Sequence, residues 1–160
     1  PSEYASEENV QKMASYFLPY YDAHKCDFTK PYDGIMEMLK TITGKGVCLA
    51  VASNKYQDGA EKLVHHFFGD YEFVKILGQR DGQPIKPDPA IVDQILAEVP
   101  YISKSETVYV GDSNVDMQTG ANAQVRTIGV SWGFRSREEL AAYNPSAIVD
   151  SPDELSKIIV

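Results

Sequence analysis

Five short apolar runs recur along the chain, VCLAVAS, FVKIL, TVYVG, RTIGV and AIVD, and stretches with helical spacing separate them. Strands this apolar, alternating with helices, read as parallel strands covered on both faces. The predicted fold class is therefore α/β, a doubly wound parallel sheet. The helices follow from apolar residues at three- and four-residue steps. Ile35, Met38, Leu39 and Ile42 mark one, with Asp33 as its cap; Ala60, Leu63, Val64, Phe67 and Phe68 mark another, closed by Gly69. Asp88 and Pro89 read as N-cap and first position of a helix carrying Ile91, Ile95 and Val99, and a further helix follows Asp112. Two S-x-x-E capping boxes, Ser136 to Glu139 and Ser151 to Glu154, start the last two helices. Ahead of this series stands a separate helix with Val10, Met13, Ala14, Phe17, Tyr20 and Tyr21 on one face and Ser6 as its cap.

Composition narrows the partners. A net charge of -8 argues against a polyanionic partner, because phosphate-backbone binding draws on clustered Lys and Arg. Nucleic acid and anionic membrane are not expected. No apolar run approaches the roughly 20 residues of a membrane helix, and PSEYASEENV is too polar and acidic for a signal peptide, which suggests a cytoplasmic protein. Cys26, in a loop, and Cys48, read as a small core residue, suit a reducing compartment. His24, His65 and His66 lack metal-ligand spacing with other candidates.

An open parallel sheet binds its ligand outside the carboxyl ends of the strands. Those ends offer Ser53 and Asn54, then Lys86 in PIKPDP, then Asp112 and Asp116 in VYVGDSNVDMQTGANAQ, then Trp132 to Arg135. Asp112 at a strand end and Asp116 one helical turn on can lean toward one point, where a cation would relieve their repulsion. Hard oxygen ligands and few protein contacts suit Mg²⁺. The plainer reading makes Asp112 an N-cap and Asp116 a dipole-favoured acid. Ser53, with backbone N–H groups of a helix start at Asn54 and Lys55, makes a phosphate-sized anion site or another cap. Lys86 aims an ammonium at the sheet end or is a surface lysine; Arg135 either recognises substrate or forms a surface ion pair.

A hydroxyl, a cation and a carboxylate pair in this chain order resemble the second, third and fourth motifs of the haloacid dehalogenase-like hydrolase superfamily. LAVASNK, GQRDGQPIKPDP, YVGDSNVDMQTGANA, VSWGFRSREEL and IVDSPDEL are together similar to its phosphoglycolate phosphatase branch. The resemblance implies a Rossmann-like core over residues 29–160 and, over residues 1–28, the end of a helical cap. It implies that Ser53 hydrogen-bonds the transferring phosphoryl group, assisted by Asn54. Lys86 would neutralise charge between phosphoryl and nucleophile, and Asp112 with Asp116 would hold Mg²⁺, directly or through water. The implied catalytic residues are thus Lys86, Ser53 and Asp112.

One family element is absent: the D-x-D-G-T loop that supplies the attacking aspartate and the general acid–base. YDGI at 32–35 and RDGQ at 80–83 have one aspartate each and follow no apolar strand. The expectation is a C-terminal part of a longer enzyme, inactive alone, whose partners are that N-terminal segment and a small phosphorylated metabolite. Gln124 stands where the family commonly has glycine, a change expected to alter the turn and not the chemistry. The implied activity is Mg²⁺-dependent hydrolysis of 2-phosphoglycolate or a similar ester through an aspartyl-phosphate. The alternatives are a pyrophosphatase or sugar-phosphate mutase of the same superfamily, an inert binding module, and a receiver domain. A receiver ranks last because it places its acidic pair near the first strand.

Overall fold

A computed structural model describes residues 6–160. The chain divides into two compact units, Pro1–Lys30 and Pro31–Val160. In the first, helix α1 (Glu7–His24) starts at Ser6, whose side chain accepts from the Asn9 N–H. Phe17 stacks on Tyr21, with ring centroids 5.5 Å apart, yet no residue of this helix is buried.

The second unit alternates helix and strand: α2 (Ile35–Thr43), β1 (Leu49–Tyr56), α3 (Gln57–Phe68), β2 (Phe73–Gln79), α4 (Ala90–Glu98), β3 (Val108–Gly111), α5 (Asn114–Asn122), β4 (Arg126–Val130), α6 (Arg137–Ala141), β5 (Ala147–Val149) and α7 (Pro152–Ile159). Every strand pairing is parallel, as the apolar runs predict. The strands form two separate sheets, β1–β2 and β3–β4–β5, with no ladder between β1 and β3. Among the described residues no helix is long and apolar enough to cross a membrane.

Side chains join what the backbone does not. One cluster reaches from Leu77 on β2 through Ile91 and Val92 on α4 to Tyr109 on β3 and Val125. Others combine Leu39 and Ile42 of α2 with Leu49 of β1, and Ile128, Val130 and Val149 with Leu155 of α7. Between β1 and β3 these clusters leave an apolar cleft of about 570 Å³, lined by Leu49, Ala50 and Ala52 on one side and Val108 and Val110 on the other. Cys48 lines it too and is exposed, which corrects its reading as a core residue: the edge of β1 on which it borders has no neighbouring strand to cover it.

Local signals were shifted more often than wrong. The cap of α2 is Gly34, not Asp33; its φ of 84° is left-handed, where glycine avoids the steric penalty of a Cβ. The cap of α4 is Pro89, one residue on from the expected Asp88, and Val99 is its C-cap and not a helical residue; Asp88 still accepts the Ala90 N–H, at 2.9 Å. Ser136 and Ser151 cap α6 and α7. Gln124 lies at φ 59°, so the family's glycine position is a left-handed turn here occupied by a residue with a Cβ. Two substitutions should therefore move stability in opposite directions in urea unfolding. Ile128→Ala, at a position with 0% exposure, should cost about 2–5 kcal/mol. Gln124→Gly should gain up to about 1 kcal/mol by relieving the turn.

Candidate active site

The residues singled out at the strand ends meet in one hollow. Ser53, Lys86, Asp112 and Asp116 all line a depression of about 380 Å³ at the carboxyl ends of β1 and β3, beside Trp132 and Gly133. The chain delivers them from three separate segments: β1, the loop between β2 and α4, and the junction of β3 with α5.

Lys86 comes from the exposed loop between β2 and α4, yet its side chain is only 11% exposed. Its Nζ donates to the Ala52 carbonyl at 3.0 Å and to Asp116 Oδ1 at 2.8 Å, and lies 5.9 Å from the Tyr109 ring centre. Asp116 is equally buried, at 10%, and both of its oxygens are taken. Oδ1 also receives the Tyr109 hydroxyl at 3.3 Å, while Oδ2 receives the Ser113 N–H at 3.1 Å and the Ser113 hydroxyl at 2.6 Å. Burial pushes this carboxyl upward, but the Lys86 ammonium, with hydrogen bonds from Lys86, Ser113 and Tyr109, outweighs it and holds the group below its ordinary value. Tyr109 moves the other way: burial, then the Asp116 charge, raise its phenol well above the usual range.

Asp112 precedes the helix and does not cap it. Ser113 is the N-cap of α5, its hydroxyl accepting the Asp116 N–H at 3.2 Å in a reciprocal capping box. Asp112 is instead tied to the loop after β4. Its Oδ2 accepts the Phe134 N–H at 2.9 Å, and its carbonyl accepts the Arg135 N–H at 3.0 Å. Among the described residues Oδ1 has no hydrogen-bond partner. The approach is so close that a Cβ at Gly133 would sit 2.2 Å from Asp112 Oδ2, and one at Gly111 2.2 Å from Asp116 Cβ. Only glycine fits at either place.

Two other expectations are corrected. Helix α3 begins at Gln57, so Asn54 and Lys55 still belong to β1 and no helix start presents N–H groups beside Ser53. The Lys55 N–H is spent on Ser53 Oγ, at 3.1 Å. The Ser53 hydroxyl thereby accepts one bond and keeps its proton to donate. Asn54 is not among the residues that line the hollow: its Nδ2 donates to the Lys86 carbonyl at 3.1 Å and its Oδ1 accepts the Lys86 N–H at 2.9 Å. Arg135 pairs with Glu139 at 3.4 Å and stacks over Phe134, the ion-pair reading of the two weighed.

Tyr109 was not read from sequence as a site residue, and nothing local marks it; Gly133 and Phe134 fall within the Trp132 to Arg135 stretch offered at a strand end, and Ser113 carries an S-x-x-D box from 113 to 116, but none of the three was given a role. No three His, Cys, Asp or Glu side chains gather as metal ligands among the described residues. The donors present are hard oxygens, with Asp112 the carboxylate that keeps an uncommitted atom. That set fits a cation such as Mg²⁺, which takes one or two carboxylates and fills the rest with water and phosphate.

The depressed Asp116 carboxyl has a measurable consequence. Its folded value lies below the roughly 3.9 of an unfolded aspartate. Its stabilising contribution is therefore complete above that pH and drains as pH falls toward the folded value. Acid titrations of unfolding free energy should show a steeper loss below about pH 4 in the native chain than in Asp116→Asn, which should also be less stable at neutral pH.

Comparison with known proteins agrees with this geometry. A pyrophosphatase PpaX of Halalkalibacterium halodurans is 28% identical over 152 residues, covering 95% of this chain and 70% of its own length. A phosphoglycolate phosphatase of Haemophilus influenzae is 26% identical over 154 residues, 96% of this chain and 68% of the relative. The crystal structure of a phosphoglycolate phosphatase-like protein of Lactobacillus delbrueckii subsp. bulgaricus superposes with a TM-score of 0.89 at 34% identity, over 99% of this chain and 65% of that one. The chain thus spans about two thirds of the length of the proteins it matches. The family model of haloacid dehalogenase-like hydrolases matches residues 2–130, and with the parallel sheets and the convergent strand-end residues it follows that the chain belongs to this family.

Proposed function

We propose that this member of the haloacid dehalogenase-like hydrolases acts on a small anionic phosphomonoester such as 2-phosphoglycolate. The observation that carries this reading is the meeting of the Ser53 hydroxyl, the Lys86 ammonium and the Asp112 carboxylate in one hollow at the strand ends. A hydroxyl donor and a desolvated ammonium suit the equatorial oxygens of a transferring phosphoryl group, where preorganised charge is worth most. Asp112 would hold Mg²⁺, which when bound supplies charge neutralisation to the phosphoryl oxygens. Asp116 is the counterion that fixes Lys86, and with both of its oxygens already accepting from Lys86, Tyr109 and Ser113 it would support the ion less directly than Asp112.

The nucleophile belongs, in this reading, to an aspartate on a segment outside these 160 residues, seated in the cleft between β1 and β3. Support comes from the cleft itself: two strand edges without ladders, apolar walls, and Lys86 at the carboxyl end where a strand-borne carboxylate would emerge. That aspartate attacks phosphorus, the P–O bond to the alcohol breaks as a second aspartate of the same segment protonates the leaving oxygen, and water, giving its proton to that second aspartate, then cleaves the aspartyl-phosphate to release phosphate. Helix α1 is, in the same reading, the closing part of a helical cap. A second reading, hydrolysis of inorganic pyrophosphate, is favoured by the relative from Halalkalibacterium halodurans.

Phosphate release from 2-phosphoglycolate and from pyrophosphate, measured with and without magnesium, tests both. With an aspartate-bearing first segment joined on, activity should require Mg²⁺, and Asp112→Asn and Lys86→Ala should each lower kcat by about 10²-fold or more. The 160-residue chain alone should show no turnover above background. Full activity in both variants would remove the site assignment, and turnover by the isolated chain would place the nucleophile within it.

A further inference from the structure

We propose that Asn54 and Asn122 are positioning residues that together clamp the Lys86–Pro87 backbone and so aim the Lys86 ammonium; the catalytic part of this inference rests on the function proposed above. The problem they solve is set by the loop. Residues 81–85 are exposed, and a lysine on such a segment would ordinarily roam through many rotamers. Yet this lysine ends in a nearly buried position on two acceptors.

The side-chain amide of Asn54, on β1, grips one residue from both sides: it accepts the Lys86 N–H at 2.9 Å and donates to the Lys86 carbonyl at 3.1 Å. In doing so it gives Lys86 the pair of hydrogen bonds that a neighbouring strand would give. Pro87 has no N–H, so its carbonyl is its only main-chain handle, and Asn122, the last residue of α5, donates to it at 2.9 Å. The two asparagines come from opposite halves of the unit, one beside the two-stranded sheet and one beside the three-stranded sheet. The loop is therefore fixed relative to both, as is the distance from its backbone to Ala52 and Asp116. A carboxamide suits this role because it carries donor and acceptor side by side. Asn54 spends its carbonyl oxygen and one of its two N–H donors on Lys86, and it is not among the residues that line the hollow. It acts through the lysine.

Two measurements on Asn54→Ala, Asn54→Asp and Asn122→Ala test this. The first is native-state hydrogen exchange of the Lys86 amide in the 160-residue chain. It should accelerate about tenfold or more in Asn54→Ala, less in Asn54→Asp, which keeps the acceptor oxygen, while core amides such as that of Ile128 keep their rates. The second is steady-state kinetics on the protein with its first segment joined on. Asn54→Ala should lower kcat about tenfold with KM unchanged within about threefold, Asn122→Ala should lower it less, and Asn54→Asp should recover part of the loss. A raised KM with unchanged kcat would show that Asn54 touches substrate and would overturn the assignment. Should the joined protein hydrolyse no phosphate ester, the proposed function fails while the exchange experiment still decides the clamp: an unaccelerated Lys86 amide overturns it.

Discussion

The ion pair between Lys86 and Asp116 holds this site together, and it does so across a gap in the backbone framework. The lysine arises after β2, rests on the last regularly paired carbonyl of β1, and reaches a carboxylate in the first turn of α5. A pair this buried contributes little net stability, because desolvation consumes most of the attraction; removing either partner is another matter, since it strands a charge. Its value here is geometric. Asp116 is simultaneously a helix-capping acid for Ser113 and an acceptor for Tyr109, so the ammonium is located against an anchored group and not against a mobile one.

The rest of the unit is organised to present that pair. Two parallel sheets lie on either side of an apolar cleft, and clusters reaching over both faces keep them in register without a shared ladder. The polar groups gather only at the carboxyl ends of β1 and β3, where the hollow opens. The loop after β4 completes the rim by donating the Phe134 N–H to one oxygen of Asp112. Two glycines make this possible by giving up the space that two carboxylates occupy.

Much of this was legible in the chain. The alternation of VCLAVAS, TVYVG and RTIGV with amphipathic segments specifies parallel strands because apolar surface on both faces can be satisfied only between helices. The strand-end residues were legible for the same reason, since topology fixes where loops converge. What sequence could not supply was the direction of individual side chains. Asn54 sits next to Ser53 and so was taken to share its ligand, but alternate residues of a strand point opposite ways, and its amide found a loop instead. Caps slipped by one residue at Gly34, Pro89 and Ser113, because several neighbours there have turn or capping chemistry and tertiary contacts chose among them. Cys48 was misread because hydrophobicity reports what a residue prefers and not whether a neighbour exists to cover it.

The bare edges of β1 and β3 carry a liability of their own. Rows of unpaired N–H and C=O groups flanked by Ala50 and Val110 are the template on which polypeptides zip together, and no charged or proline gatekeeper stands on the three strand residues Val108 to Val110. Concentrated solutions of these 160 residues should be governed by intermolecular strand exchange, with solubility restored by whatever peptide fills the slot.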